Sequence, residues 1–175
     1  MAIIVEGFDN SGKSTLARSL GFEVLHPGPR PKSLGEEYDC FVKQLDQARK
    51  PVVMDRVTCI STPCYTSKDW QNYAHWVRRM TEMPHCVIIY CRPPIEAIKD
   101  FSRHICKGYD EAKHVQWLID NAERVVDNYD LYMSQVPHMK YDYTDPNRVV
   151  IQMAQDAQFT IRGWNAWQAE TQKRT

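Results

Sequence analysis

The sequence has no surplus of either charge: Lys and Arg together number 22, matched by 22 Asp and Glu in 175 residues. That balance excludes a whole-chain field that would draw in nucleic acid or an anionic membrane, so any polyanion contact has to be local. No apolar stretch approaches the roughly 20 residues needed to cross a bilayer, and no basic segment leads into a signal-length apolar run. The expectation is a cytoplasmic protein with no membrane partner. The six cysteines include no C-x-x-C pair of the kind found at zinc and redox sites, which favours reduced, structural thiols over a disulfide framework. There is no repeat, low-complexity tract or clear linker. The length suits one domain, residues 1–175, large enough to bury a core without staples.

Three short apolar runs are present, Ala2 to Val5, Val52 to Met54 and Val87 to Tyr90. None alternates with polar residues, as expected of parallel strands covered on both faces. Phe22 to Leu25 and Met139 to Tyr143 are weaker strand candidates. Helical patterns lie between the strands. Ser33 and Glu36 form a capping box ahead of Leu34, Tyr38, Phe41, Val42 and Leu45. Trp70, Tyr73, Ala74, Val77 and Met80 make a second stripe, and the longest runs from Val115 to Met133. Strands alternating with helices predict an α/β domain with right-handed crossovers. Residues 159–175, which carry Trp164 and Trp167, form a C-terminal extension to which the pattern assigns no role.

At the end of the first run, Gly7 to Ser14 reads G-F-D-N-S-G-K-S. This matches G-x-x-x-x-G-K-[ST] in full and lies between a strand and a helix start, as a phosphate-binding loop must. The glycines let the backbone curl so that the N–H groups from Gly7, Asn10, Ser11 and Gly12 converge on a concave anion site, to which the helix start adds its positive end. Lys13 is placed to reach the β and γ phosphates of ATP, Ser14 to ligate Mg²⁺, and Thr15 to lie near the α phosphate.

Guanine-specific switches carry an N-K-x-D base-reading motif, and this sequence has none. The remaining motifs favour transfer to a second substrate. In "PVVMDRV", Asp55 and Arg56 fall at the end of a buried strand, the edge where α/β sheets bind ligands. Asp55 can hold Mg²⁺ or orient the acceptor, and Arg56 offers a planar fork for a phosphate. Arg92 has two readings: it points from the same sheet edge toward the acceptor, or it is fixed at a helix start by Pro93 and Pro94. Arg103, His104 and Lys107 lie in a polar connection, 103–110, that can close over the phosphates as a lid, with Arg103 as a further cation for the transferred group. Thr144 and Asp145 stand in a turn-forming stretch, with Asp145 equally readable as a helix N-cap. Tyr65, Trp70 and Tyr73 can stack an acceptor base, although Trp70 and Tyr73 also fit an apolar stripe that belongs to the core.

Through "EGFDNSGKST", "VVMDR" with Ser61 and Tyr65 downstream, "IIYCRPPIEAI" and "SRHICKGYDEAKH", the chain resembles the thymidylate kinase-like branch of P-loop nucleoside monophosphate kinases, especially the small bacteriophage versions. The resemblance covers most of residues 2–145. It implies a three-layer P-loop NTPase fold, with a five-stranded parallel sheet, helices on both faces and the acceptor pocket opposite the donor. It also implies that Asp9 helps position the acceptor and that the donor base passes the turn at Thr144 and Asp145. "HPGPRP" stands where that branch tends to have an Arg-Glu-Pro-Gly segment. The expected partners are ATP and a deoxynucleoside monophosphate, thymidylate or a modified pyrimidine nucleotide, with a homodimer as an open assembly. One alternative acceptor is a hydroxymethylated pyrimidine within DNA, gripped by a groove around Arg30, Lys32, Arg78 and Arg79. Another reading is an ATP-binding module that transfers nothing.

Overall fold

The computed structural model describes residues 2–26, 28, 31–83, 86–102 and 112–145. Five strands form one all-parallel sheet: β1 (Ala2–Glu6), β2 (Glu23–Leu25), β3 (Val52–Asp55), β4 (Cys86–Cys91) and β5 (Met139–Tyr141), in the order β2-β3-β1-β4-β5. The helices are α1 (Lys13–Ser19), α2 (Leu34–Gln47), α3 (Thr58–Thr66), α4 (Gln71–Thr81), α5 (Ile95–Lys99) and α6 (Ala112–Met133). All five expected strands are present, the two weaker ones trimmed to three residues each. This is the three-layer α/β fold expected from the sequence.

The central strand explains the layering. Side chains alternate across a strand, so Ala2 and Ile4 enter the cluster under α2, α3, α4 and α6, while Ile3 and Val5 enter the cluster with Leu16 and Ala17 of α1 and Leu20 just after it. Both faces of β1 are therefore apolar and fully covered. The same alternation sends Glu6, last in the strand, toward the α6 side, into the interior. The chain leaves β1 for α1 on one face and leaves the neighbouring β3 for α3 on the other. These opposite exits open a crevice at the carboxyl ends of two adjacent strands, where such sheets bind ligands.

α2 departs from the expected stripe. Leu34, Tyr38 and Val42 are exposed, and Glu37, Phe41 and Gln44 face inward. Polar partners account for the rotation. Glu37 accepts hydrogen bonds from Lys68 Nζ and the Tyr73 hydroxyl, both at 2.6 Å, and Gln44 Oε1 caps the start of α3 by accepting the Thr58 N–H at 2.9 Å. A buried polar group with its bonds satisfied costs little, and sequence periodicity does not register such pairs. The capping box holds in part: Ser33 Oγ accepts the Glu36 N–H, while Glu36 reaches back to the N–H of Lys32.

Tyr73, Val77 and Met80 of α4 are buried as expected, joined by Trp76, which stacks on Phe41 with centroids 5.1 Å apart. Tyr73 is core, not a base-stacking surface. Trp70 lies half-buried, edge-on to Tyr132. The five described cysteines, 40, 59, 64, 86 and 91, are free thiols. Among the described residues no helix is long and apolar enough to cross a membrane.

Candidate active site

The loop after β1 takes its shape from backbone angles that most residues avoid. Gly7 has φ 138°, and a Cβ there would stand 2.5 Å from the Cys91 carbonyl oxygen; Gly12 has φ 86°, and a Cβ there would stand 2.8 Å from Tyr143 Cδ1. Asn10 is also left-handed at φ 61°. Its side-chain amide does not face the loop: it donates to the carbonyls of Ala97, Ile98 and Asp100 at 2.8–3.1 Å, tying the loop to the end of α5. Of the groups expected at an anion site, Asn10 thus offers its backbone N–H while its side chain anchors the loop. Gly12→Ala should lower nucleotide affinity by an order of magnitude or more and cost about 1–3 kcal/mol of stability, because the new methyl is strained at that φ and collides with the Tyr143 ring. Nucleotide titration and urea unfolding check both effects.

Lys13 is buried, and its Nζ donates to the Phe8 carbonyl and, at 3.4 Å, to Ser11 Oγ. The ammonium thus curls over its own loop. Burial, with the nearby positive charge of Arg56, pushes its pKa down to about 8, while Asp9 and Asp55 pull it back up. Ser14 and Thr15 lie exposed on the first turn of α1. Ser14 Oγ donates to Asp55 Oδ2 at 2.9 Å across the β1–β3 crevice, joining the two residues expected to share a metal. Nδ1 of His26, just past β2, lies 3.5 Å from the same carboxylate oxygen.

A second cluster stands beside this one. Arg56 Nη2 donates to Asp9 Oδ1 and to the Tyr65 hydroxyl, both at 2.8 Å. The Tyr65 hydroxyl in turn donates to Asp9 Oδ2 at 2.5 Å, and the guanidinium carbon sits 5.1 Å from the centre of the Tyr65 ring. Burial alone would raise the Asp9 carboxyl. The charges of Arg56 and Lys13 and the Tyr65 hydrogen bond outweigh it and hold that carboxyl well below the usual range. Arg56 Nε is buried and has no hydrogen-bond partner among the described residues. Arg56 itself has φ 77°, a left-handed angle that is strained for a residue with a side chain.

Arg92 commits its fork to the helix side. Nε and Nη2 pair with Asp130 of α6 at 2.9–3.0 Å, and Nη1 donates to the Pro93 carbonyl at 2.8 Å. Thr144 is held in a turn in which its N–H and hydroxyl both donate to Asp142 Oδ1, and Asp145 follows that turn directly. The expected lid residues Arg103, His104 and Lys107 lie outside the described residues, as do Arg30 and residues 146–175.

Sequence reading missed Glu6, Tyr129 and Tyr143. Glu6 is fully buried; its Oε1 accepts the Val57 N–H at 2.6 Å and its Oε2 accepts the Tyr129 hydroxyl at 3.2 Å. Burial lifts its pKa to about 7, against the Val57 hydrogen bond and the charges of Arg56 and Lys13. A folded-state pKa raised above the unfolded value of about 4.3 means stability that is full below that value and is lost as pH rises through 7. Asp9 has the opposite sign, but its contribution is complete by pH 5 and adds no slope above it. Relative to wild type, Glu6→Gln should be near neutral at pH 5 and stabilising by about 2–3 kcal/mol at pH 8.5. Urea unfolding of both proteins at the two pH values reads this directly; parallel pH curves would rule it out.

No protein-family model matches the chain, and no curated protein sequence matches it significantly. Solved structures do share its fold. The YorR protein from Bacillus subtilis, in complex with phosphorylated GDP, aligns at TM-score 0.63 and 20% identity, over 93% of this chain and 96% of that one. Deoxyadenosine kinase from M. mycoides with bound dATP aligns at TM-score 0.54 and 17% identity, over 93% and 100%. Shikimate kinase from Acinetobacter baumannii, in complex with shikimate, aligns at 0.53 and 14%, over 93% of each chain. The architecture described above is thus one that kinases use.

Proposed function

We propose that the protein is an ATP-dependent phosphotransferase that moves the γ-phosphate to a free deoxynucleoside monophosphate, thymidylate or a modified pyrimidine nucleotide. One observation carries the reading: the Ser14–Asp55 pair, 2.9 Å apart, adjoins the buried Lys13 on the strand edge that also holds Arg56. A hydroxyl and a carboxylate are the hard oxygen donors that Mg²⁺ takes, and phosphates and water complete such a shell. Bound there, Mg²⁺ would neutralise charge on the β and γ oxygens. The chain's own work is positioning. The loop backbone holds the phosphates, and Lys13 exchanges the Phe8 carbonyl for phosphate oxygen. Arg56 presents a cation to the acceptor, its angle fixed by Asp9 and Tyr65.

Two of the structural neighbours support free nucleotides as the ligands, since the YorR structure holds phosphorylated GDP and the M. mycoides kinase holds dATP. The placement of the basic residues argues against DNA as the acceptor. Arg78 and Arg79 occupy the last turn of α4, directly ahead of β4, and so lie at the opposite edge of the sheet from Arg56. Lys32 precedes α2 at the other edge, so no single groove unites the three.

An ADP-release assay with a panel of deoxynucleoside monophosphates, run beside single- and double-stranded DNA, tests the reading. Turnover with a pyrimidine monophosphate and none with DNA is expected; phosphate appearing only on DNA would reverse it. Asp55→Asn should lower Mg²⁺-dependent kcat by 10²-fold or more and change ATP affinity little, as its carboxylate serves the metal and not the nucleotide in the ground state. A parallel fall in both would remove that role.

A further inference from the structure

We infer that Glu6 is a positioning residue for the acceptor side of the site: its carboxylate fixes the backbone turn at Arg56 and the aromatic wall behind it. The inference rests on the proposed phosphotransfer, in which Arg56 faces the acceptor. Glu6 is fully buried at the end of the central strand, where a carboxyl costs free energy unless its bonds are used.

The backbone shows the use. The Arg56 N–H still continues the β1–β3 ladder, donating to the Val5 carbonyl at 3.0 Å. At Arg56 the chain then turns left-handed, φ 77°, and the next N–H, that of Val57, finds its acceptor in a side chain. Glu6 Oε1 receives that N–H at 2.6 Å. Without this acceptor a buried N–H would be orphaned, and relaxation of Arg56 to an ordinary angle would carry its guanidinium off Asp9 and Tyr65. The other oxygen acts through the ring wall. Glu6 Oε2 takes the Tyr129 hydroxyl at 3.2 Å; the Tyr129 ring lies edge-on to Tyr65 with centroids 6.1 Å apart and is backed by Tyr90 stacked at 5.9 Å. Tyr65 is the residue whose hydroxyl bridges Asp9 and Arg56. One carboxyl therefore holds two supports of the same guanidinium, of which the second, through Tyr65, also meets the loop after β1 at the Phe8 ring and the Asp9 N–H.

The test pairs Glu6→Gln with Glu6→Leu. The amide of Gln can accept the Val57 N–H and donate to the Tyr129 oxygen, whereas Leu fills similar space and does neither. Glu6→Gln should keep the acceptor KM within about threefold of wild type. Glu6→Leu should raise it 10- to 100-fold, with circular dichroism unchanged and any rise in ATP KM clearly smaller. A normal acceptor KM in Glu6→Leu, an equal rise in both substrate KM values, or equal impairment of the Gln and Leu variants would overturn the inference. The Arg56 Nε–H resonance in ¹⁵N spectra reports on the same support without any turnover. It should shift or broaden in Glu6→Leu and stay in place in Glu6→Gln. If wild type transfers phosphate to no nucleotide, the functional reading fails and this resonance alone judges Glu6: an unchanged signal in Glu6→Leu overturns the positioning role, and the expected shift upholds it.

Discussion

Lys13→Met should fold as wild type and transfer phosphate at least 10³-fold more slowly, with kcat taking most of the loss. Lys13 is the cation nearest the migrating charge in the proposed reaction, and its contribution grows as charge develops on the transferred group. The structure adds the stability half of the prediction. The Lys13 ammonium is buried, its pKa is depressed to about 8 by burial and by Arg56, and its described bonds are to its own loop, at Phe8 and Ser11. Removing a charge that burial already disfavours leaves Asp9 with the closer Arg56 as its partner. Methionine, of similar length, fills the space with no charge to desolvate. Thermal unfolding within a few degrees of wild type, together with the lost rate, is the expected pair of results. Near-normal turnover by the folded variant would sink the phosphotransfer reading.

Arg56 is the second site of large effect. Arg56→Gly should raise the acceptor KM by about 10- to 100-fold while ATP affinity stays within a few-fold, since a lost charge-assisted contact is worth about 1.5–3 kcal/mol and falls on the acceptor alone. Glycine is the informative replacement. At φ 77° it is unstrained where alanine would keep the strain, so the variant removes the guanidinium without adding a backbone penalty. Arg56→Lys, which keeps the charge and loses the fork, should recover only part of the affinity. Steady-state kinetics with each substrate varied in turn separates the cases. If ATP and acceptor KM rise together, Arg56 belongs to the donor site.

The sequence by itself determined the sheet and the curled loop after β1. Unbroken apolar runs such as Ala2 to Val5 can be satisfied only when both faces of a strand are covered, and a G-x-x-x-x-G-K-S run after such a strand can curl in few other ways, so local rules sufficed. Asp55 and Ser14 were legible for the same reason: each is placed by its own strand end or helix start. Tertiary structure alone decided what depends on partners distant in the chain. Glu6 reads as one more residue of β1 until the pleat turns it under α6, where Tyr129 comes from 123 residues away. Arg92 had two readings until Asp130 of α6 came within reach of its fork. The face of α2 was set by Glu37 and Gln44, whose partners lie on α3, α4 and the segment between them. Hydrophobic periodicity ranks side chains by their own solvation, whereas a buried polar residue is placed by the hydrogen bonds waiting for it, and those are known only once the chain has folded.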